Sequence, residues 1–237
     1  MTEAEWLACS TPELMMTFLR QYQVCEVQGT TTWVRLSGDT GYPGDRKKRL
    51  YSCACCRRIW HLLSPKYGRP AIEIAERFAN GLASAEDRAH GFSLAVKGRS
   101  MAPIGKWSDA MHAAAAAVSP AQLEWSTSVG WFDWGACHRS VHSAETGSYE
   151  PGQSPTNRDH ANLLRHIVGN PFRPFSAPKH LPATVTDLAA ALYDGGDCAF
   201  ALHDALLEAG HVELAEHFRE REHPKGCWAL DLILGKA

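Results

Sequence analysis

No stretch of the chain reaches the roughly 18–20 uninterrupted apolar residues that a membrane helix requires. The start, Met1-Thr2-Glu3-Ala4-Glu5-Trp6, has neither the basic residues nor the apolar core of a signal peptide. The expectation is a cytoplasmic chain without a membrane partner. Charge bias is missing as well: 24 Lys and Arg stand against 26 Asp and Glu, a formal net charge of -2. That balance gives no global attraction to nucleic acid or to an anionic surface. The chain also lacks a phosphate-cradling Gly-x-x-x-x-Gly-Lys-Ser/Thr loop, a dinucleotide glycine signature, a Gly-x-Ser-x-Gly elbow and the kinase motifs. No motif names a reaction.

What is present describes a globular helical protein. Hydrophobic residues make up 45% of 237, enough to bury a core without help from disulfides or a metal. In a reducing compartment the eight cysteines are buried thiols, metal ligands or reactive groups rather than disulfides. Thr2 and Glu5 have capping-box spacing ahead of an amphipathic stretch over 2–20, which Pro12 divides. Residues 22–36 turn strand-prone, with Val24, Val27, Thr31, Thr32 and Val34. They predict a small hairpin of Gln23–Gln28 and Thr31–Leu36. Asp45 then caps a helix over 46–63 whose apolar arc is broad enough for near-complete burial.

Further helices are predicted over 69–80, 84–97, 107–118, 157–168, 184–193, 197–209, 211–221 and 226–234, with Gly81 and Gly210 as C-caps. The run Ala113–Ala117 reads as low-complexity helix, of high propensity and small enough for close packing. Two prolines keep Gly169–Phe175 out of any helix. Residues 125–157 are irregular, and 147–155 is the best boundary or mobile loop. The fold class expected is mainly α: one helical domain over 1–237 with a hairpin insertion near 22–36. Its sub-divisions would be 1–120, 121–157 and 158–237.

Several words form a pattern: Trp6-Leu7-Ala8-Cys9, Cys55-Cys56-Arg57-Arg58-Ile59-Trp60-His61-Leu62-Leu63, Gly169-Asn170-Pro171-Phe172-Arg173-Pro174 and Gly226-Cys227-Trp228-Ala229-Leu230-Asp231-Leu232. In that order they resemble a large paralogous family of uncharacterised planctomycete proteins. The resemblance covers the N-terminal helix, 45–83 and 158–237. It implies a bacterial, cytoplasmic protein and carries no activity. The stretch 21–44 departs from the family's usual short link.

Five constellations are candidates for chemistry. His217, His223 and Cys227 suit a zinc ion, because the Pro-Lys-Gly turn between His223 and Cys227 can aim both side chains inward, against the plainer reading of a helix-capping histidine and a core cysteine beside Trp228. Three such ligands with an open position would suit catalysis; a fourth, Cys198 or His203, would suit a structural site. Cys53 and Cys56 have Cys-x-x-Cys spacing with Cys55 and His61 nearby, but within a helix they read as small buried hydrophobes. Cys137, His138 and His142, with Asp133 and Glu145, lack the Glu of His-Glu-x-x-His and read as an exposed polar loop. Arg46, Lys47, Lys48, Arg49, Arg57 and Arg58 are the nucleic-acid candidates, against a plain solvated helix start. Trp125, Trp131, Phe132 and Trp134, with Tyr149, are either a partner surface or a satellite core.

The favoured expectation is a non-catalytic accessory or regulatory protein that contacts another protein. A zinc-binding protein or metal-dependent enzyme is the alternative, and a nucleic-acid-binding accessory comes third.

Overall fold

The computed structural model describes residues 1–27, 30–35, 43–119, 134–147, 155–178 and 180–236. The chain is mainly helical, and among these residues no helix is long and apolar enough to cross a membrane. Two compact units divide it, Met1–Leu164 and Arg165–Ala237. The division falls inside a helix rather than at the 157/158 break expected from composition.

The first unit opens with α1 (Glu3–Ala8) and α2 (Pro12–Gln21). Thr2 Oγ1 accepts from the Glu5 amide at 3.2 Å, and Glu5 returns a carboxylate to the Thr2 amide at 2.7 Å. Pro12 begins α2, where its missing N–H has no helical partner to lose. β1 (Tyr22–Val27) and β2 (Thr30–Arg35) pair antiparallel, with Tyr22 opposite Arg35 and Val27 opposite Thr30.

Then come α3 (Asp45–Arg58), α4 (Gly68–Ala79), α5 (Ala85–Met101), α6 (Lys106–Val118), α7 (Trp134–Thr146) and α8 (Pro155–Val168). Asp45 is the first residue of α3 rather than its cap, which is Gly44. The predicted helix over 46–63 stops at Arg58. Beyond it the chain tightens into i→i+3 bonds, with the amides of Leu62 and Leu63 donating to the carbonyls of Ile59 and Trp60.

α6 is the centre of this unit and touches α3, α4, α5 and α7. All five residues of Ala113–Ala117 are fully buried. The low-complexity expectation is therefore corrected: methyl side chains let four helices approach one axis closely. α5 uses glycine in the same way. A Cβ on Gly98 would lie 2.7 Å from Tyr67 Cβ and 2.4 Å from Met111 Cε.

The second unit holds α9 (Ala183–Tyr193), α10 (Ala199–Glu208), α11 (Val212–Glu216), a 3-10 turn (His217–Arg219) and α12 (Trp228–Leu234). Its core includes Val185, Leu192, Leu202, Leu206, Phe218 and Leu230. Gly210, at φ 82°, closes α10: the amide of His211 reaches back to the Leu206 carbonyl at 2.9 Å. The helix predicted over 211–221 becomes α11 plus the 3-10 turn, and the chain is extended by Glu220. That early end frees the segment from Glu220 to Gly226 to fold back as a turn.

Candidate metal centre

Four side chains of the second unit converge: His166, His217, His223 and Cys227. One donor atom from each lies within 4.8 Å of all the others. His166 comes from the last turn of α8, and His217 from the junction of α11 with the 3-10 turn. His223 and Cys227 are joined by a tight turn. In it the Cys227 amide donates to the Pro224 carbonyl at 3.0 Å while Gly226 takes φ 85°. Cys227 is also the N-cap residue of α12, so the helix start fixes its backbone.

Hydrogen bonds to Glu220 decide which atom His223 and His166 turn inward. His223 Nε2 lies 2.9 Å from the Glu220 carbonyl, so it donates there and leaves Nδ1 bare, 3.7 Å from Cys227 Sγ. His166 Nε2 lies 2.8 Å from Glu220 Oε2. Its Nδ1 is buried with no hydrogen-bond partner among the described residues. His217 Nε2 is 3.0 Å from Cys227 Sγ. Paired outer nitrogens and inward lone pairs are the usual arrangement of metal-bound histidine.

Electrostatics favours the neutral, metal-binding form. Burial, then the neighbouring His166 and His223, pushes the His217 imidazole down to about 3. Burial also lowers His223 from its ordinary value, against a smaller opposite push from its bond to the Glu220 carbonyl. Neither ring must shed a proton before binding a cation at neutral pH.

Aromatic rings wall the group. His217 sits 5.0 Å from Trp228 and His223 5.0 Å from Phe218, centroid to centroid. Gly169, at φ 81°, passes beneath Trp228, and a Cβ there would stand 3.1 Å from Trp228 Cγ. The Gly169–Pro174 and Gly226–Leu232 words thus meet at this site.

The donor set fits a borderline-soft transition ion. A tetrahedral zinc site with three imidazoles and one thiolate has ligand–ligand edges of about 3.3–3.6 Å. The 4.8 Å spread therefore requires only a small contraction. His217, His223 and Cys227 were the three ligands expected, and His166 completes them. The suggested fourth ligands lie elsewhere: Cys198 Sγ donates to the Leu188 carbonyl, and His203 pairs with Asp204. His166 was hidden because it lies far upstream in a helix whose pattern is plainly amphipathic. Its marker is the adjacent Gly169-Asn170-Pro171 stop, which fixes where the last turn of α8 points.

The other candidates are distributed differently. Cys53, Cys55 and Cys56 are buried thiols of α3 that burial raises well above the ordinary thiol value. His61 is exposed. The nucleic-acid candidates Arg46, Lys47, Lys48, Arg49, Arg57 and Arg58 all belong to α3. Lys48 and Arg49 are buried, and Arg49 caps α6 by donating to the carbonyls of Ala117 and Ser119 at 2.7 and 3.1 Å. Arg57 makes a two-pronged pair with Glu76 at 2.8 and 2.7 Å. Arg58 binds Glu145 and Asp159, and Arg46 donates to Asn80 Oδ1. Arg46, Arg49, Arg57 and Arg58 are thus each engaged by a partner within the fold.

Of the aromatic partner candidates, Trp125, Trp131, Phe132 and the side chain of Trp134 lie outside the described residues, as do Asp133 and Tyr149. The polar loop expected around Cys137, His138 and His142 is corrected as well. These residues belong to α7, with Cys137 and His138 fully buried. The chain matches no protein-family model, no curated protein and no solved structure.

Proposed function

We propose that this chain is a zinc-binding protein whose second unit is organised around a His166–His217–His223–Cys227 site, and that the metal is structural. The observation that carries this reading is the convergence of three imidazoles and one thiol from the end of α8, the α11 junction and the 223–227 turn. Four protein ligands complete a tetrahedron and leave no open position for water or substrate, which separates structural from catalytic zinc. The donors also favour zinc over calcium or magnesium, which take oxygen ligands. A closed site goes with an accessory role rather than with metal-dependent catalysis.

The test is the metal content of the untagged protein, with Cys227→Ser and His166→Ala beside it. About one zinc per chain is expected, lost or strongly reduced in both variants. A protein that carries no zinc and takes none up on titration would overturn the reading. Zinc retained in His166→Ala would reduce the site to three ligands and reopen catalysis.

A further inference from the structure

The first unit carries a surface feature that does not depend on the metal site. α5 and α6 are joined through residues 102–105, with Gly105 at φ 102° just before α6 begins. Large apolar side chains stand in solvent at this turn. Ile104 is 98% exposed, Met101 63% and Trp107 44%. Pro103 is exposed beside them. Such side chains add little to the core, and apolar groups exposed together mark a contact surface.

Cations surround the tip. Lys97 stands one helical turn before Met101 on α5, and Arg99 and Lys106 flank the connection; all three are exposed. Lys66, from the connection between α3 and α4, joins them. Its Nζ lies 5.4 Å from the centre of the Tyr67 ring, and Lys97 Nζ lies 5.9 Å from the same ring. Lys106 Nζ lies 4.7 Å from the Trp107 ring. No ion pair neutralises Lys66, Lys97, Arg99 or Lys106 among the described residues. No acid interrupts the sequence from Arg88 to Ser108. The next one, Asp109, is half-buried and accepts from Ser143 Oγ at 2.8 Å.

We propose that the tip over 101–107 docks on an anionic lipid bilayer, with Met101, Ile104 and Trp107 entering the interface and Lys66, Lys97, Arg99 and Lys106 meeting the headgroups.

The chemistry selects this occupant. Opposite charge draws a cluster of cations to an anionic leaflet. The aliphatic tip separates a bilayer from a nucleic acid, whose backbone offers phosphates and no apolar interior. The lysines separate it from a protein surface, because lysine is depleted at protein interfaces. At a bilayer its long stem lies along apolar surface while the ammonium stays among headgroups. Tryptophan favours the same interfacial depth. No described helix is long and apolar enough to cross a membrane, so the contact is with one face of the bilayer. The formal net charge of -2 hides the patch because acids gather elsewhere: between Lys179 and Arg219 they recur with no Lys or Arg among them.

Vesicle co-sedimentation of the full chain tests this. Vesicles of phosphatidylcholine and phosphatidylserine in equal parts are compared with phosphatidylcholine alone, at low and high salt. The chain is expected to bind the mixed vesicles, to leave them as salt rises, and to ignore phosphatidylcholine. Lys97→Ala with Lys106→Ala should weaken binding about 25-fold, since each cation near an anionic surface is worth about fivefold. Ile104→Ser removes apolar carbon without touching charge, and should weaken binding about tenfold or more at unchanged salt dependence. All three side chains are exposed, so both variants fold as the parent does. No binding to the mixed vesicles, equal binding to both kinds, or variants bound as tightly as the parent would overturn the proposal. Absence of lipid binding together with retention on a polyanion column would give the tip to nucleic acid instead. Absence of lipid binding together with dimerisation that Ile104→Ser abolishes would give it to a second copy of the chain.

Discussion

Glu220 touches two of the three histidines of the candidate metal site, one through its carboxylate and the other through its backbone carbonyl. It holds both rings so that Nδ1 faces inward. Outer partners of metal-bound histidine commonly matter by 10- to 100-fold in affinity. The Glu220 side chain is 68% exposed, which screens its charge and places it at the low end. Glu220→Ala is expected to weaken zinc binding about tenfold in a chelator-competition titration. Glu220→Gln should lose less, because an amide oxygen still accepts from His166 Nε2. Equal affinity in wild type and Glu220→Ala would show that the carboxylate does not position His166.

This residue also marks how far single positions can be read. His223 and Cys227 are legible because proline and glycine between them mark a turn, which brings flanking side chains near one another. Glu220 is one acidic residue among several near the end of a helix, and its role comes from where the 3-10 turn stops. Arg49 is the opposite case. It reads as part of a solvated basic run, yet it satisfies carbonyls at the end of α6 that no helix can satisfy internally.

Among the helices, periodicity located most elements to within a few residues, because amphipathic stripes and proline stops are local signals. It missed α7, whose Trp-Gly-Ala-Cys-His start carries no clear stripe; burial on several faces erases the contrast that a stripe depends on. It also undervalued small residues. Met111 lies between Gly68 and Gly98, each of whose imagined Cβ atoms would fall inside its thioether end. At Gly98 the Tyr67 Cβ stands equally in the way, so relaxing Met111 alone does not make room. Gly98→Val should therefore destabilise the first unit by about 1–3 kcal/mol, the usual range for overpacking, read as a lower denaturation midpoint at unchanged slope. A variant as stable as the parent would mean that α5 shifts freely along α4 and α6.

For the whole chain, the proposed zinc site implies that the two units depend on different forces. The first is held by a core of helices packed around alanine. The second is small for a chain segment that must fold on apolar burial alone, and all four metal donors belong to it. Chelation should thus act on one unit only. Amide protection over 183–234 is expected to fall when zinc is removed, with protection over 45–118 kept, as hydrogen exchange on the full chain would show. Uniform loss across both ranges would mean that the metal stabilises the entire molecule. The sequence hid this division because α8 runs through it unbroken: composition shifts mark loops, and the change of unit occurs within a helix.

The donor set contains a single sulfur. Zinc sites built from several thiolates can be opened by oxidants, which pair the sulfurs as a disulfide and expel the ion. Here Cys227 is fully buried, and its three fellow donors are imidazoles, which have no such chemistry. Oxidative stress that empties a cysteine-rich zinc module would pass this one by.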